Sequence, residues 1–357
     1  MSSIKVIALY LPQYHPCKEN DLWWGKGFTE WTNVAKAKPL FRGHYQPKIP
    51  ADLGFYDLRI SDVREHQAQL AKEAGVYGFC YWHYWFGNGK RLLERPFMEV
   101  VESGKPDFPF CLGWANHSWY AKTWDPNIPD KLLVEQKYLG KDDDIAHFTA
   151  LLPAFKDERY IRIENKPVFL VFKPLHAKGI SEMICLWNNL ALQNGLDGIY
   201  FIGQGAQSEF EDILKLGFNA VNHEELNGIH AKKSKLSRLC KQLIRIISRR
   251  PRCYNYLNAM KEMIVPEDAN ENIFPTICPN YDHTPRSSTR GLVFTNSNPS
   301  NFKKHVTDIC KIVSKKKNKF IFLKSWNEWG EGNYMEPDLK YGKGYINALR
   351  EVLDQVK

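Results

Sequence analysis

Eight apolar runs punctuate the chain: Val6–Leu11, Tyr77–Trp82, Phe108–Trp114, Pro167–Phe172, Ile199–Gly203, Ala220–His223, Ile273–Pro279 and Phe320–Trp326. They are nearly continuous rather than alternating, the pattern of parallel strands covered on both faces. Between most of them, apolar positions recur at helical spacing. Ser61 is placed to cap a helix over Asp62–Ala74, in which Val63, Leu70, Ala71 and Ala74 share a face and Gly75 supplies the stop. Further helices are predicted at Leu92–Glu102, Asp142–Lys156, Ser181–Gln193, Glu209–Leu216, Leu236–Ile264, Pro299–Ser314 and Gly344–Val356. Eight strand–helix repeats predict an α/β fold of the (β/α)8 TIM-barrel type, one domain over residues 1–357 with long strand-to-helix loops. A doubly wound sheet would want a glycine-rich turn after the first strand. That strand runs instead into Leu11-Pro-Gln-Tyr-His.

Composition narrows the class. Apolar residues make up 43% and charged residues 25% of the 357, which excludes wholesale disorder. No apolar run approaches the ~20 residues that span a bilayer. The start, Met-Ser-Ser-Ile-Lys, has no features of a secretory leader, and the eight cysteines are scattered without a C-x-x-C. The expectation is a reduced, cytoplasmic protein without a disulfide framework or zinc site.

Charge adds one feature. The formal net charge is +9, and no Asp or Glu occurs between Leu226 and Lys261. Nine basic residues crowd into residues 232–252 (Lys232, Lys233, Lys235, Arg238, Lys241, Arg245, Arg249, Arg250 and Arg252), and without them the rest of the chain is neutral. With Leu236, Leu239, Leu243, Ile244, Ile246 and Ile247 interleaved, this reads as a basic amphipathic helical excursion at about 226–265. Such a helix suits peripheral contact with an anionic membrane, here its inner face, through residues 232–252. The alternative is a solvated helix packing its apolar stripe on the body. No nucleic-acid motif accompanies the charge, so nucleic acid is not an expected partner.

In a barrel of this type, chemistry sits where strands end. Tyr14 and His15 follow the first strand, and Trp23, Trp24 and Trp31 lie in the loop beyond. Trp82, His83 and Tyr84 close the second; Trp114, Asn116, His117 and Trp119 the third; His223 and Glu224 the sixth; Tyr281 and Asp282 the seventh. The eighth ends in Trp326, Asn327, Glu328, Trp329, Gly330 and Glu331. Ten of the eleven tryptophans, Trp124 included, fall on these ends or loops; only Trp187 is on a predicted helix. Aromatic faces cover the C–H faces of sugars, and Asn, Asp, Glu and His take their hydroxyls, so these residues are candidates for binding an oligo- or polysaccharide. Capping of the barrel core is the competing role for each ring.

Glu328 and Glu331 are the candidate catalytic residues. Two carboxylates three positions apart, in a turn broken by Gly330 and Gly332, can project into one pocket. Crowding and burial would push their pKa values apart, leaving one proton donor and one base, as glycosidic-bond chemistry requires. Asp142-Asp-Asp contains a D-x-D spacing but opens a predicted helix, where acids favour the helix dipole. His117 and His223 lack metal-binding spacing, so no metal and no cofactor are expected.

Several longer motifs carry a family resemblance. They are Leu11–His15, Asn20–Val34, His44-Tyr-Gln-Pro, Leu53–Arg59, Tyr77–Phe86, Lys90–Pro96, Asp107–Leu112, Asp282-His-Thr-Pro-Arg and Trp326–Asp338. Together they resemble the WbsX-like family, which is related to glycoside hydrolase family 99. The resemblance spans residues 4 to about 350. WbsX-like proteins are labelled glycosyltransferases of O-antigen or other surface-polysaccharide (lipopolysaccharide) clusters. Their hydrolase relatives are (β/α)8 endo-α-mannosidases that retain configuration without a metal. The resemblance implies that Glu328-Trp-Gly-Glu331 matches the catalytic E-W-x-E turn. Glu331 would be the general acid/base at the glycosidic oxygen, and Glu328 would take the proton of the sugar 2-OH, giving a 1,2-anhydro intermediate. One departure stands out: relatives often read A-N-E-N-W after the third strand, where this chain has Ala115-Asn-His-Ser-Trp119. The resemblance leaves three rival functions. The first is an endo-acting glycoside hydrolase or transferring enzyme on a surface polysaccharide, free or lipid-linked. The others are a nucleotide-sugar glycosyltransferase and a non-catalytic glycan-binding protein.

Overall fold

The computed structural model describes residues 3–122, 129–226 and 250–356. Eight strands form the barrel: β1 Lys5–Tyr10, β2 Gly78–His83, β3 Phe110–Trp114, β4 Lys166–Val171, β5 Tyr200–Gly205, β6 Ala220–His223, β7 Ile273–Ile277 and β8 Phe320–Leu323. All eight neighbour pairings are parallel. The first strand lies between the second and the eighth (Ile7 opposite Gly78, Lys5 opposite Phe320), and β3 meets β4 (Leu112 opposite Phe169), so the sheet closes. Every predicted strand is present, shifted by at most three residues at an end. The barrel strands are buried on both faces, which is why their apolar runs do not alternate.

Each strand is followed by a helix: α1 Ser61–Ala74, α2 Arg95–Ser103, α3 Lys141–Lys156, α4 Ile180–Gln193, α5 Phe210–Lys215, α6 Tyr256–Glu262, α7 Pro299–Val313 and α8 Gly344–Gln355. Gly75 ends α1 in the left-handed region (φ 80°), as its position suggested. Ser61 does not cap that helix. It is the first helical residue, Ile60 occupies the cap position, and no side chain caps the end.

The predicted helix over 236–264 is corrected in part. Residues 227–249, which hold most of the basic segment, lie outside the described residues. Beyond them Arg252–Asn255 is a strand paired with Leu292–Thr295, and only α6 is helical. Cys253 and Tyr254 sit in register with Val293 and Phe294, and the ladder outcompetes helix formation there. Among the described residues no helix is long and apolar enough to cross a membrane. The seven described cysteines are free.

Trp187 of α4 shows how helices seal the barrel. It is fully buried, its ring lies 4.9 Å from Phe169 and 5.0 Å from His147, and its Nε1 donates to the Asp144 carbonyl at 2.9 Å. Trp187→Ala should cost about 3–5 kcal/mol of stability, because the cavity cannot collapse between α3, α4 and the sheet. Urea unfolding of the chain reads this directly.

Candidate active site

Beyond Leu323 the chain makes a small hairpin over the barrel mouth. Asn327–Glu328 pairs antiparallel with Asn333–Tyr334, and Trp329–Glu331 forms the tight turn between them. The hairpin is pinned from below. Asn327 accepts from the Leu11 amide (2.7 Å) and donates to the Leu11 carbonyl (3.0 Å). The Tyr14 hydroxyl donates to the Asn327 carbonyl and accepts from the Trp329 amide (3.1 Å). Trp329 stacks on Tyr334 (3.7 Å, 12°), and its indole donates to Glu336 at 2.6 Å. Tyr56 and Gln67 also donate to Glu336, whose carboxyl burial pushes up to about 7.

This scaffold points Glu328 and Glu331 into a cavity of about 610 Å³ at the C-terminal ends of the strands. Arg286, on the short helix Thr284–Ser287, reaches into the same space and clamps three carboxylates. Its Nε lies 2.8 Å from Glu30, Nη1 2.6 Å from Glu331 and Nη2 3.3 Å from Glu328. Asp282 positions that helix by accepting from the Thr284 amide (3.0 Å) and hydroxyl (2.6 Å). Gly330 makes the arrangement possible, since a Cβ there would run into the Glu30 carboxylate and stand 3.0 Å from Arg286 Nε. Gly330→Ala should therefore disrupt the clamp, costing about 1–3 kcal/mol of stability and lowering turnover more than thermal melting alone would suggest.

The clamp splits the carboxylate pair. Burial, and next the charge of Glu331, push Glu328 up to about 8. Burial would raise Glu331 too, but Arg286, His283 and Lys324 outweigh it and hold Glu331 below the usual range. The two carboxyls are thus driven apart, Glu328 toward its protonated form and Glu331 toward its ionised one.

The structure sorts the sequence-predicted binding residues into four groups. Trp24, Trp82, Tyr84, His117 and Trp119 line the carboxylate cavity, with Trp23 edge-on to Trp119 at 6.0 Å. Burial and the nearby Lys173 lower the His117 pKa to about 4, so its ring is neutral. Glu224 lines an adjoining cavity of about 240 Å³ that shares Phe172 and Lys173 with the first, and it pairs with Lys324 at 3.4 Å. Tyr281 and Asp282 face a separate cavity behind the turn.

The remaining candidates are buried and committed to internal contacts, so they are corrected to scaffold positions. Tyr14, Asn327 and Trp329 brace the hairpin as described, and Trp326 is fully buried beside Phe79. His15 contacts the Pro12 carbonyl (3.1 Å), Trp31 donates to the Tyr56 carbonyl (2.8 Å) and Trp114 to the Trp85 carbonyl (3.0 Å). His83 pairs with His147 (2.9 Å) and His223 with Asp268 (2.7 Å). Asn116 closes on Lys173, donating to its carbonyl (2.9 Å) and accepting from its amide (2.7 Å). Trp124 lies outside the described residues. Asp142, Asp143 and Asp144 occupy the first turn of α3, and Asp143 accepts from the Trp85 indole (3.1 Å) and the Asn88 amide (2.6 Å).

Residue-by-residue reading overlooked Glu30, Arg286, Lys173 and Lys324, all of which line the cavity. Glu30 and Arg286 stand in motifs that carried the family resemblance, yet they meet across 256 residues of chain.

Comparison with known proteins agrees with this architecture. The chain is similar to two proteins named "Uncharacterized protein WxcX" from Xanthomonas campestris pv. campestris, strains B100 and ATCC 33913. Each is 33% identical over 351 residues, covering 98% of this chain and 49% of the relative. The chain thus spans about half the length of these curated relatives. Among solved structures, a GH99 endo-alpha-mannosidase from Bacteroides thetaiotaomicron in complex with BIS-TRIS-Propane superposes with a TM-score of 0.60 at 15% identity, covering 98% of this chain and 97% of the other. A "glycoside hydrolase-like protein" superposes with a TM-score of 0.58 at 15% identity, covering 99% and 94%. Both share the fold. The family profile described as Glycosyltransferase WbsX matches residues 6–349, and this chain belongs to that family.

Proposed function

We propose that the chain is a carbohydrate-active enzyme of glycoside hydrolase family 99-like chemistry, acting on an internal glycosidic bond of a cell-surface polysaccharide of O-antigen or capsule type. The observation that carries this reading is the carboxylate pair. Two glutamates on one rigid turn face an aromatic-lined cavity, with their pKa values displaced in opposite directions. In the proposed reaction Glu328 takes the proton of the sugar 2-OH, and that oxygen attacks the anomeric carbon. Glu331 protonates the departing glycosidic oxygen, leaving a 1,2-anhydro sugar. Water then opens the anhydro ring, Glu331 accepting its proton and Glu328 returning one to the 2-OH, with net retention. In the free protein the charges around the pair favour the protonated form of Glu328, the intended base. Substrate entry must therefore move that proton to Glu331, and Arg286 is the group that opposes the shift.

The family description supports a second reading, transfer of a sugar from an activated donor. Incubation with bacterial surface polysaccharides, and separately with nucleotide sugars plus acceptor, separates the two. New reducing ends without a donor support the first reading, and donor-dependent product supports the second. Binding without turnover in either arm overturns both.

Contact of the basic segment with membranes, or with lipid-linked substrate, belongs to the same proposal. It predicts greater sedimentation with anionic than with neutral liposomes, weakening at high salt. Equal partitioning to both lipids would remove it.

A further inference from the structure

A cavity of about 430 Å³ lies behind the carboxylate hairpin and shares no lining residue with the catalytic one. Lys48 borders it although nearly buried. Its Nζ donates to the Asn280 side-chain oxygen (2.9 Å) and the Gly332 carbonyl (3.1 Å), and sits 5.3 Å from the Tyr334 ring centroid. It has no ion-pair partner among the described residues. Two carboxylates also border the cavity, but their acceptor positions are taken. Asp282 receives His44, Gln46 and both Thr284 donors. Asp338 receives the Tyr334 hydroxyl and the Lys340 and Tyr341 amides.

At the rim, Arg42 and Lys340 are exposed and likewise lack an ion-pair partner among the described residues. Lys340 Nζ lies 4.6 Å from the Tyr45 ring centroid and 5.0 Å from that of Tyr341. Lys48 bonds only neutral oxygens, while the charges of Asp282 and Asp338 act on it from nearby. With Arg42 and Lys340 the cavity sets three cations against two carboxylates, and that excess of positive charge favours an entering anion. Tyrosine rings beside the cations offer apolar faces suited to sugar C–H groups.

We propose that this cavity is a second carbohydrate site, taking an acidic sugar unit whose carboxylate is held by Lys48, Arg42 and Lys340 against the Tyr45 and Tyr341 rings. The inference goes beyond the catalytic reading and does not depend on it, because binding here requires no turnover.

Calorimetric titration of the whole chain tests it, with trigalacturonic acid as the probe, maltotriose as the neutral control and inorganic phosphate as an anion without a sugar ring. Trigalacturonic acid should bind at least about ten-fold more tightly than maltotriose. The double variant Arg42→Ala/Lys340→Ala, confined to exposed side chains, should remove that preference, and Glu331→Gln should preserve it. Three outcomes overturn the proposal: no preference for the acidic trisaccharide; a preference lost in Glu331→Gln but kept in the double variant, which would place the site in the catalytic cavity; or phosphate binding that follows the rim cations while trigalacturonic acid does not bind. Glycosidase activity, measured separately, stands or falls without affecting this result.

Discussion

Glu331→Gln should lower turnover of an unactivated polysaccharide by about 10²–10⁴-fold, roughly 3–5 kcal/mol of barrier, while leaving substrate binding largely intact. Glutamine keeps the shape and the contact with Arg286 but cannot cycle a proton. A substrate with an activated leaving group needs less protonation and should lose less. Glu328→Gln should stay slow with either leaving group, because the 2-OH is no longer activated, and a 2-deoxy substrate should fail with the unsubstituted enzyme. The test is a leaving-group series for both variants. Near-full activity in both, or normal turnover of the 2-deoxy substrate, would eliminate the 1,2-anhydro route.

The second large effect concerns pH. In the proposed mechanism the pair works with one proton, so activity should fall as pH rises through about 8, where Glu328 loses its proton. On the acid side it should fall only below the depressed pKa of Glu331, where the pair gains a second proton. These limbs belong to the coupled pair rather than to single residues. Arg286 lowers both carboxyls, so Arg286→Met should move both limbs toward higher pH as well as reduce turnover. The pH profile is the decisive readout, because loose packing alone would lower activity without displacing the limbs. An unshifted profile would show that Arg286 does not control the proton.

Glu336 offers a contrast. Its carboxyl is buried beneath the turn and bonded to Trp329, Tyr56 and Gln67. It orients the hairpin from beneath and is absent from the cavity lining.

The sequence by itself determined the barrel and the turn on which the carboxylate pair stands. Parallel strands buried on both faces leave uninterrupted apolar runs such as Val6–Leu11 and Phe320–Leu323, and these are visible without any partner. The spacing of Glu328 and Glu331 is equally local, because both carboxylates sit on one turn. Tertiary structure alone decided which aromatics face the cavity. Trp24, Trp82 and Trp119 line it, whereas Trp31, Trp114, Trp326 and Trp329 are spent on packing and internal hydrogen bonds. A ring is equally suited to a sugar face and to a barrel cap, and only its orientation separates the two uses. The helix expected through Arg252–Asn255 gave way to a strand for a similar reason, since its partner at Leu292–Thr295 is distant in sequence. The Arg286 clamp was the least legible feature. It gathers Glu30, Glu328 and Glu331 from widely separated segments, and the electrostatics that place the proton exist only once folding has brought those charges together and excluded water from between them.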